Sequence, residues 1–200
     1  MGDTLAYRAK YQAENRSYRG VLTGYNEAFI ISTEKRNEIL ANCQSEEERQ
    51  RTAELIRPIL RGRDIKRYGY NWDNLWLINT HNGIKGVKPR ININEYSAVK
   101  AYLDQHWDKI SKRADKGDTP YNLRNCAYME DFYKPKIVWG NLNLSAAYSI
   151  AADGIFVNAP CPMIVPASKY LLAILNSKVA DYYIRQLGVT RNGGYFEYKP

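Results

Sequence analysis

The sequence contains few residues of the kinds that form metal sites or disulfide frameworks. Of its 200 residues, three are cysteine and two are histidine, and Cys43, Cys126 and Cys161 are far apart. Disulfide scaffolds use even numbers of cysteines, and structural zinc sites use cysteine or histidine ligands spaced a few residues apart. The composition therefore argues against both, and we expect no metal to be bound by this chain.

Long apolar stretches and phosphate-binding glycine loops are also missing. No run approaches the roughly 18 consecutive apolar residues of a membrane span, and residues 1–4 lack the basic and then apolar order of a signal peptide. No glycine-rich turn of the dinucleotide-binding or P-loop type occurs. We therefore expect a cytoplasmic protein without a membrane partner, and we assign it no nucleotide-dependent chemistry.

Acidic residues are too few to balance the basic ones. The chain has 29 Lys and Arg against 21 Asp and Glu, which gives a net charge of +8. Such an excess on a chain of this size favours a polyanionic partner such as nucleic acid. Hydrophobic residues make up 44% of the sequence, which is enough to build a core and excludes a wholly disordered chain.

The positive charge is concentrated in clusters. Residues 57–67 hold five cations and a single acid, Asp64, while residues 85–90 hold three cations and no acid. A third cluster over residues 112–124 is diluted by aspartates. Gly62 indicates a tight turn and Asp64 can pair with a neighbouring arginine, so the first cluster suits either a structural or a phosphate-contacting role. The second suits either a solvated loop or a contact with a polyanion.

The apolar patterning predicts an α+β fold, with a mixed, mainly antiparallel β-sheet core and several packed helices. We expect strands at 75–78, 136–140, 147–150 and 163–165, and a strand pair formed by 21–24 and 28–31. We expect helices over 34–41 after Thr33, from Ser45 to about Arg57, over 95–113, and a long C-terminal helix over 169–187. No internal repeat or low-complexity linker interrupts the chain.

Several segments together resemble a known family. Residues 20–31 read GVLTGYNEAFII, and residues 58–68 read PILRGRDIKRY. Further segments in the same order are 113–117, 121–124, 132–139 and 171–178. Over about residues 18–198 the chain resembles the TaqI-like C-terminal specificity domains of type IIG restriction–modification enzymes and related adenine-specific DNA methyltransferases.

The resemblance implies that the chain is a recognition module of a larger enzyme. It implies an N-terminal extension or linker over 1–17 and a DNA target recognition domain over 18–200. In that family a separate domain binds S-adenosylmethionine and methylates adenine, and any nuclease domain uses Mg²⁺. The chain has no adjacent prolines, so it lacks the Pro-Pro tetrapeptide of the methylating domain. We therefore expect no catalytic residue and no cofactor here, and as partners double-stranded DNA and the methyltransferase domain of the same parent chain.

Two roles are expected of the residues that would contact DNA. Cations neutralise phosphates and fix the register, whereas amides, arginines and some hydroxyls read base edges from loops. The expected DNA-backbone-binding residues are Arg61, Arg63, Lys66, Arg67, Lys85, Lys88, Arg90 and Lys116. The expected base-reading candidates are Asn26, Tyr121, Arg124, Asn141, Asn143, Arg191 and Asn192. Asn26 also suits a turn-forming role, because asparagine bonds its own main chain in turns.

Two other functions are compatible with the sequence. Asp64 and Lys66 have the D-x-K spacing of Mg²⁺-dependent nucleases, although such sites need a second carboxylate on the metal. Alternatively, the chain is a protein-interaction module that docks a partner subunit through the C-terminal helix.

Tyrosine is unusually abundant, with 17 residues. Tyr96, Tyr102, Tyr182 and Tyr183 fall on predicted helices, which favours packing in the core or at an interface. Others, such as Tyr195 and Tyr198, lie in loop-like surroundings where they would be able to contact phosphate or a base.

Overall fold

The computed structural model of the chain describes residues 16–198. Within that range the helices are α1 (Asn26–Phe29), α2 (Thr33–Ala41), α3 (Glu46–Leu55), α4 (Ser97–Asp104), α5 (Trp107–Ile110), α6 (Lys169–Leu175) and α7 (Lys178–Leu187). The strands are β1 (Arg16–Arg19), β2 (Ile30–Ser32), β3 (Ile56–Leu60), β4 (Ile65–Lys66), β5 (Gly69–Tyr70), β6 (Leu75–Ile78), β7 (Lys136–Trp139), β8 (Leu142–Asn143), β9 (Tyr148–Ala151), β10 (Phe156–Val157), β11 (Pro162–Val165) and β12 (Phe196–Glu197). The predicted α+β fold with mainly antiparallel pairing is confirmed.

The chain divides into two compact units whose sequences are interleaved. Unit 1 takes residues up to 20, residues 60–72 and residues from 130 onward, and unit 2 takes residues 21–59 and 73–129. The predicted extension over 1–17 lies outside the described residues, apart from Arg16 and Ser17, which begin β1. The predicted domain boundary at residue 18 stays a prediction.

Unit 1 is built on an antiparallel sheet in the order β1, β11, β7 and β9. Strand β7 is buried at every position, including Lys136. Because both of its faces are covered, its sequence does not alternate between apolar and polar residues. On one side of it Trp139, Tyr148 and Tyr198 pack together. The indole Nε1 of Trp139 donates to the carbonyl of Tyr198 at 2.7 Å, so the end of the described chain is tied into this core.

In unit 2, strand β6 lies between β2 and β3 and is antiparallel to both. Helix α3 begins where Ser45 Oγ accepts the Glu48 amide at 3.1 Å, as the sequence predicts. Glu48 is itself buried and accepts from the amide of Ala98 at 3.0 Å and from the hydroxyl of Ser97 at 2.8 Å. A single carboxylate therefore joins the N-terminal ends of α3 and α4.

The predicted long helix over 169–187 is two helices in the structure, and Asn176 explains the break. Its buried amide donates to the carbonyl of Tyr148 at 2.9 Å, and its Oδ1 accepts the amide of Tyr148 at 3.0 Å. Ser177 then caps α7 by accepting the amide of Ala180 at 3.1 Å. The apolar periodicity continues through the junction, so the sequence pattern alone does not show it.

Other predicted elements are shortened or replaced. The helix expected over 95–113 is α4 and α5, because the amides of Gln105 and His106 bond three residues back, to Tyr102 and Leu103, instead of four. The strand pair expected at 21–24 and 28–31 is not formed. Residues 26–29 form a helical turn, and Ile30–Ser32 pairs with Leu75–Leu77. The strand predicted over 75–78 is confirmed, and the strand predicted over 136–140 is confirmed as Lys136–Trp139.

Over residues 16–198, none of the helices combines the length and the apolar character needed to cross a bilayer.

Candidate nucleic-acid interface

Unit 1 contains an open cleft of about 690 Å³. Its lining brings together five residues that the sequence analysis predicted for two different roles. The predicted phosphate-binding residues at the cleft are Arg63, Lys66 and Arg67, and the predicted base-reading residues are Asn141 and Asn143. These two groups are about 75 positions apart in the chain. Their convergence is a property of the fold.

One wall of the cleft begins at the turn Arg61–Asp64. Asp64 is buried, and its carboxylate accepts from Arg61 three times, through the backbone amide at 2.8 Å, Nε at 3.1 Å and Nη2 at 3.0 Å. The guanidinium of Arg61 is therefore committed to stabilising this turn. Arg63, between them, is exposed. The geometry favours a structural role for Arg61 and leaves Arg63 as the cation that faces solvent.

The same wall continues into a small hairpin formed by β4 and β5. Lys66 is exposed, and its Nζ donates to the carbonyl of Arg63 at 2.7 Å. Arg67 is also exposed, and its Nη2 donates to the carbonyl of Asn176 at 2.9 Å. Within residues 16–198, both charges are bonded to neutral carbonyls and not to carboxylates. Neither charge is neutralised by these bonds, so both remain able to attract an anion.

The opposite wall is the turn that follows β7. The side chain of Asn143 donates to the carbonyl of Gly140 at 2.7 Å, and the carbonyl of Asn141 accepts the amide of Tyr198 at 2.9 Å. The walls approach closely at two glycines, because a Cβ on Gly62 would lie 3.4 Å from the Cα of Gly140. This spacing brings the asparagine turn beside the basic turn.

Arg191 and Asn192 line a neighbouring cleft of unit 1, of about 420 Å³, together with Tyr195. The Nε of Arg191 donates to Glu197 at 2.8 Å. Asn192 is exposed and begins a short turn in which the next two residues, Gly193 and Gly194, have positive φ angles. Both predicted residues are therefore surface groups on a loop with a defined conformation.

Unit 2 has its own basic cleft, of about 880 Å³, lined by Lys85, Lys88 and Arg90. The loop is shaped by Gly83 and Gly86, which have φ angles of 74° and 75°. A bridge between Ile84 and Lys88 closes it into a tight loop. Lys85 is exposed, whereas Arg90 pairs with Asp118 at 3.1 Å.

Two residues of this second cleft, Asn82 and Asn125, were missed by the sequence analysis. The side chain of Asn82 donates to Asp118 at 3.0 Å and to Asn125 at 2.5 Å, and it accepts the amide of Asp118 at 2.9 Å. Neither residue lies inside a cation cluster. The only sequence signal was the Asn82-Gly83 pair, which is typical of a turn.

A buried arginine holds the loop that carries the other predicted readers of unit 2. Arg113 is 7% exposed, and it donates to the carbonyls of Thr23, Pro120 and Asn122. Its guanidinium lies 4.2 Å from the centre of the Phe29 ring. Burial lowers the pKa of Arg113 to about 10, so it is still charged at neutral pH. The loop over 114–125 is consequently fixed at its base.

The remaining predicted residues of unit 2 are placed as follows. Arg124 is exposed and pairs with Asp115 at 2.9 Å, and Lys116 donates to the carbonyl of Ser111 at 2.6 Å. The hydroxyl of Tyr121 donates to Asp104 at 2.6 Å. Asn26 accepts the hydroxyl of Thr23 at 2.6 Å at the start of α1, which favours its turn-forming role.

The tyrosines divide differently from expectation. Tyr96 and Tyr102 are buried, but Tyr182 and Tyr183 are 68% and 63% exposed. Tyr198, expected at a loop surface, is fully buried, and its hydroxyl donates to Asp181 at 2.6 Å. The chain after α7 returns to the core of unit 1. The composition of residues 191–198 is that of a loop and does not predict this return.

The Asp64 and Lys66 pair does not have the geometry of a metal-dependent nuclease. The Asp64 carboxylate is buried against Arg61, and the Lys66 amine is turned to a carbonyl of the same segment. Among residues 16–198, no group of three or more His, Cys, Asp or Glu side chains is arranged to hold a metal ion. The hydrogen bonding of Asp64 is that of a structural ion pair.

Fold and site together define a basic α+β binding domain with clefts lined by cations and amides. A match to a family model identifies which family of binding domains this is. The chain belongs to the family of TaqI-like C-terminal specificity domains, whose model matches residues 57–200. The function predicted from the sequence, that of a specificity or target-recognition domain, is thereby confirmed.

Comparison with solved structures finds 18 matching chains. One is the type IIL restriction–modification enzyme MmeI, solved in complex with DNA, with a TM-score of 0.65 at 13% sequence identity. The match covers 92% of this chain and 23% of the MmeI chain. At this identity it shows a shared fold, and the present chain spans about a quarter of the length of MmeI. No curated protein sequence matches the chain.

Proposed function

We propose that this chain recognises a specific sequence in double-stranded DNA as part of a type II, IIG-like restriction–modification enzyme. The observation that carries the proposal is the unit 1 cleft, where Lys66 and Arg67 converge with Asn141 and Asn143. Cations that attract phosphate and amides that read base edges are the two components that sequence-specific binding needs. The family membership and the net charge of +8 support it.

The two groups do different work in this proposal. Lys66, Arg67 and Lys85 neutralise phosphates and release counterions, which supplies affinity without sequence information. Asparagine side chains offer a donor and an acceptor side by side and pair with adenine in the major groove. Asn141 and Asn143 therefore supply discrimination in unit 1, and Arg124 supplies it in unit 2.

The chemistry is assigned to other parts of the parent enzyme. A separate domain would bind S-adenosylmethionine and transfer the methyl group to adenine N6, and any nuclease domain would bind Mg²⁺. The role of the present chain is to place that methyltransferase domain over the target base. Such an enzyme acts on DNA inside the cell, so the proposed location is the cytoplasm.

Helix α7 supports a contact with the methyltransferase domain of the same parent chain. Val179, Tyr182 and Leu187 are 80%, 68% and 70% exposed. Exposed apolar groups concentrated on one helix are typical of protein–protein contacts. The alternative of a protein-interaction module draws on the same helix, and DNA binding distinguishes the two.

We expect the chain to bind duplex DNA with strong salt dependence. Fluorescence anisotropy of a labelled random-sequence duplex, measured over a salt series, gives the slope of log affinity against log salt. Lys66→Ala and Lys85→Ala should each reduce that slope by about one, because each phosphate contact releases about one counterion.

Lys109→Ala is the matched control, because Lys109 is exposed on α5 and lines none of the three clefts described above. It should leave the slope unchanged. Absence of any affinity at low salt would contradict the proposed function and support the protein-interaction module.

A further inference from the structure

Tyr68 adopts a backbone conformation that tyrosine disfavours. It occupies the second position of the two-residue turn between β4 and β5, where Lys66 pairs with Gly69, and its φ angle is 65°. In this left-handed region the Cβ atom crowds the backbone, so the position normally takes glycine or asparagine. Among residues 16–198 the only other non-glycine with positive φ is Asn74, a residue type that tolerates it.

The fold gains little from a tyrosine at this position. The residue is 55% exposed, and within the described part of the chain its hydroxyl makes no hydrogen bond. Its ring contact is with the guanidinium of Arg67, 5.2 Å from the ring centre. The next residue is Gly69, with no atom within 4 Å of the position its Cβ would take. Glycine, which would adopt the left-handed conformation of residue 68 without strain, thus stands at residue 69 instead.

The surroundings hold the strained turn in place. The amide of Tyr68 donates to the carbonyl of Tyr148 at 2.9 Å, and Arg67 is bonded to the carbonyl of Asn176 at 2.9 Å. Backbone strain that the surroundings maintain, at a residue whose side chain adds little to the packing, is characteristic of functional positions. The ring is consequently presented at the tip of a turn fixed by these bonds, directly after Lys66 and Arg67, two cations that line the unit 1 cleft.

We propose that Tyr68 stacks on a nucleobase of the bound DNA, at a base step that has been opened. The inference rests on the proposed function and adds to it a residue that reads neither phosphate nor base edge. An exposed aromatic ring beside a row of cations is the arrangement with which proteins hold unstacked bases. Adenine has to leave the duplex stack before it is methylated, so an opened step is available in this class of reaction. The Arg67 guanidinium orients the ring by a cation–π contact.

Three substitutions separate stacking from other roles. Tyr68→Asn removes the ring but suits the left-handed backbone, Tyr68→Phe keeps the ring and removes the hydroxyl, and Tyr170→Asn removes a tyrosine that is 71% exposed on α6. Each is measured by anisotropy of the 200-residue chain with a fully paired duplex and with the same duplex carrying one unpaired adenine. Thermal unfolding of each variant is recorded alongside.

If Tyr68 stacks on a base, Tyr68→Asn should bind the duplex with the unpaired adenine at least about tenfold more weakly than wild type. The salt slope should be unchanged, since no phosphate contact is lost. Tyr68→Phe and Tyr170→Asn should bind like wild type, and the melting temperature of Tyr68→Asn should equal or exceed that of wild type.

Other results overturn the inference. Equal affinity of Tyr68→Asn and wild type removes the stacking role but leaves the proposed function intact. A loss in Tyr68→Phe as large as in Tyr68→Asn assigns the effect to the hydroxyl, and a lowered melting temperature of Tyr68→Asn assigns it to stability. If the wild-type chain binds neither duplex at low salt, the proposed function fails and this inference fails with it.

Discussion

At the scale of single residues, Lys136 shows how a charged group is accommodated in the core of unit 1. It is fully buried in β7, and its Nζ donates to the carbonyl of Ala152 at 3.0 Å. Burial lowers the pKa of its ammonium group from 10.5 to about 8, and the smaller effect of the Asp153 charge acts in the opposite direction. The folded chain therefore carries a buried charge at neutral pH that the unfolded chain exposes to water.

Replacing Lys136 with methionine, which has a similar volume, should stabilise the protein at pH 7 by on the order of 2 kcal/mol, after allowance for the lost hydrogen bond. The folded pKa lies below the unfolded value, so between about pH 8 and 10.5 the unfolded chain binds more protons and the wild type gains stability as pH rises. The advantage of Lys136→Met should narrow in that window. Urea unfolding of both proteins at pH 7, 8, 9 and 10 (chosen to span the window) measures it, and a constant difference would contradict the charge burial.

At the scale of elements, the junction between α6 and α7 joins the C-terminal helices to the sheet of unit 1. The buried side chain of Asn176 pairs with both backbone groups of Tyr148 in β9, while its own carbonyl accepts from Arg67. Asn176 therefore caps the C-terminal end of α6, hydrogen-bonds the backbone of β9 and holds the side chain of Arg67.

We expect Asn176→Ala to cost about 2 kcal/mol, because it leaves the buried amide of Tyr148 without its acceptor and removes one of the two donors to the Tyr148 carbonyl, the other being the amide of Tyr68. Ser177→Ala is the matched comparison, since it removes only the cap of α7, worth about 1 kcal/mol. Chemical denaturation of the two variants gives both values. A loss in Asn176→Ala no larger than in Ser177→Ala would show that the junction is not held by the pairing with Tyr148.

At the scale of the whole molecule, each compact unit carries its own basic cleft, and cations and asparagines line both. In the proposed function, loops carry the specificity, whereas the sheets and helices hold those loops in position. Base reading by separate loops is additive for well-separated positions. The recognised sequence should therefore be a property of this segment and transfer with it.

A segment exchange tests this at the same scale. Residues 18–200 placed into a related full-length enzyme, in the position of its own specificity domain, should move the methylated motif to that of the parent of this chain. Sequencing of modified bases in DNA from cells that express the hybrid reveals the motif. A hybrid that is active but keeps the motif of the recipient would show that the target is read elsewhere.

Local patterns in the sequence determined a large part of this protein. The charge clusters, the cap at Ser45, and the strands that begin at Leu75 and Lys136 follow from residue type and spacing, because each depends on neighbours within a few positions. The motif at residues 58–68 is also local, and it predicted membership of the family of specificity domains.

The tertiary structure alone decided which of the predicted residues meet and what each one bonds. Arg61 and Arg63 are equivalent in sequence, but only Arg61 is committed to the buried Asp64. Lys66 and Asn141 line one cleft, and the left-handed turn at Tyr68 leaves no trace in the composition. Burial, hydrogen-bond partners and backbone strain depend on residues that are distant in the chain and brought close only by folding, so the sequence supplied the groups and the fold assigned their roles.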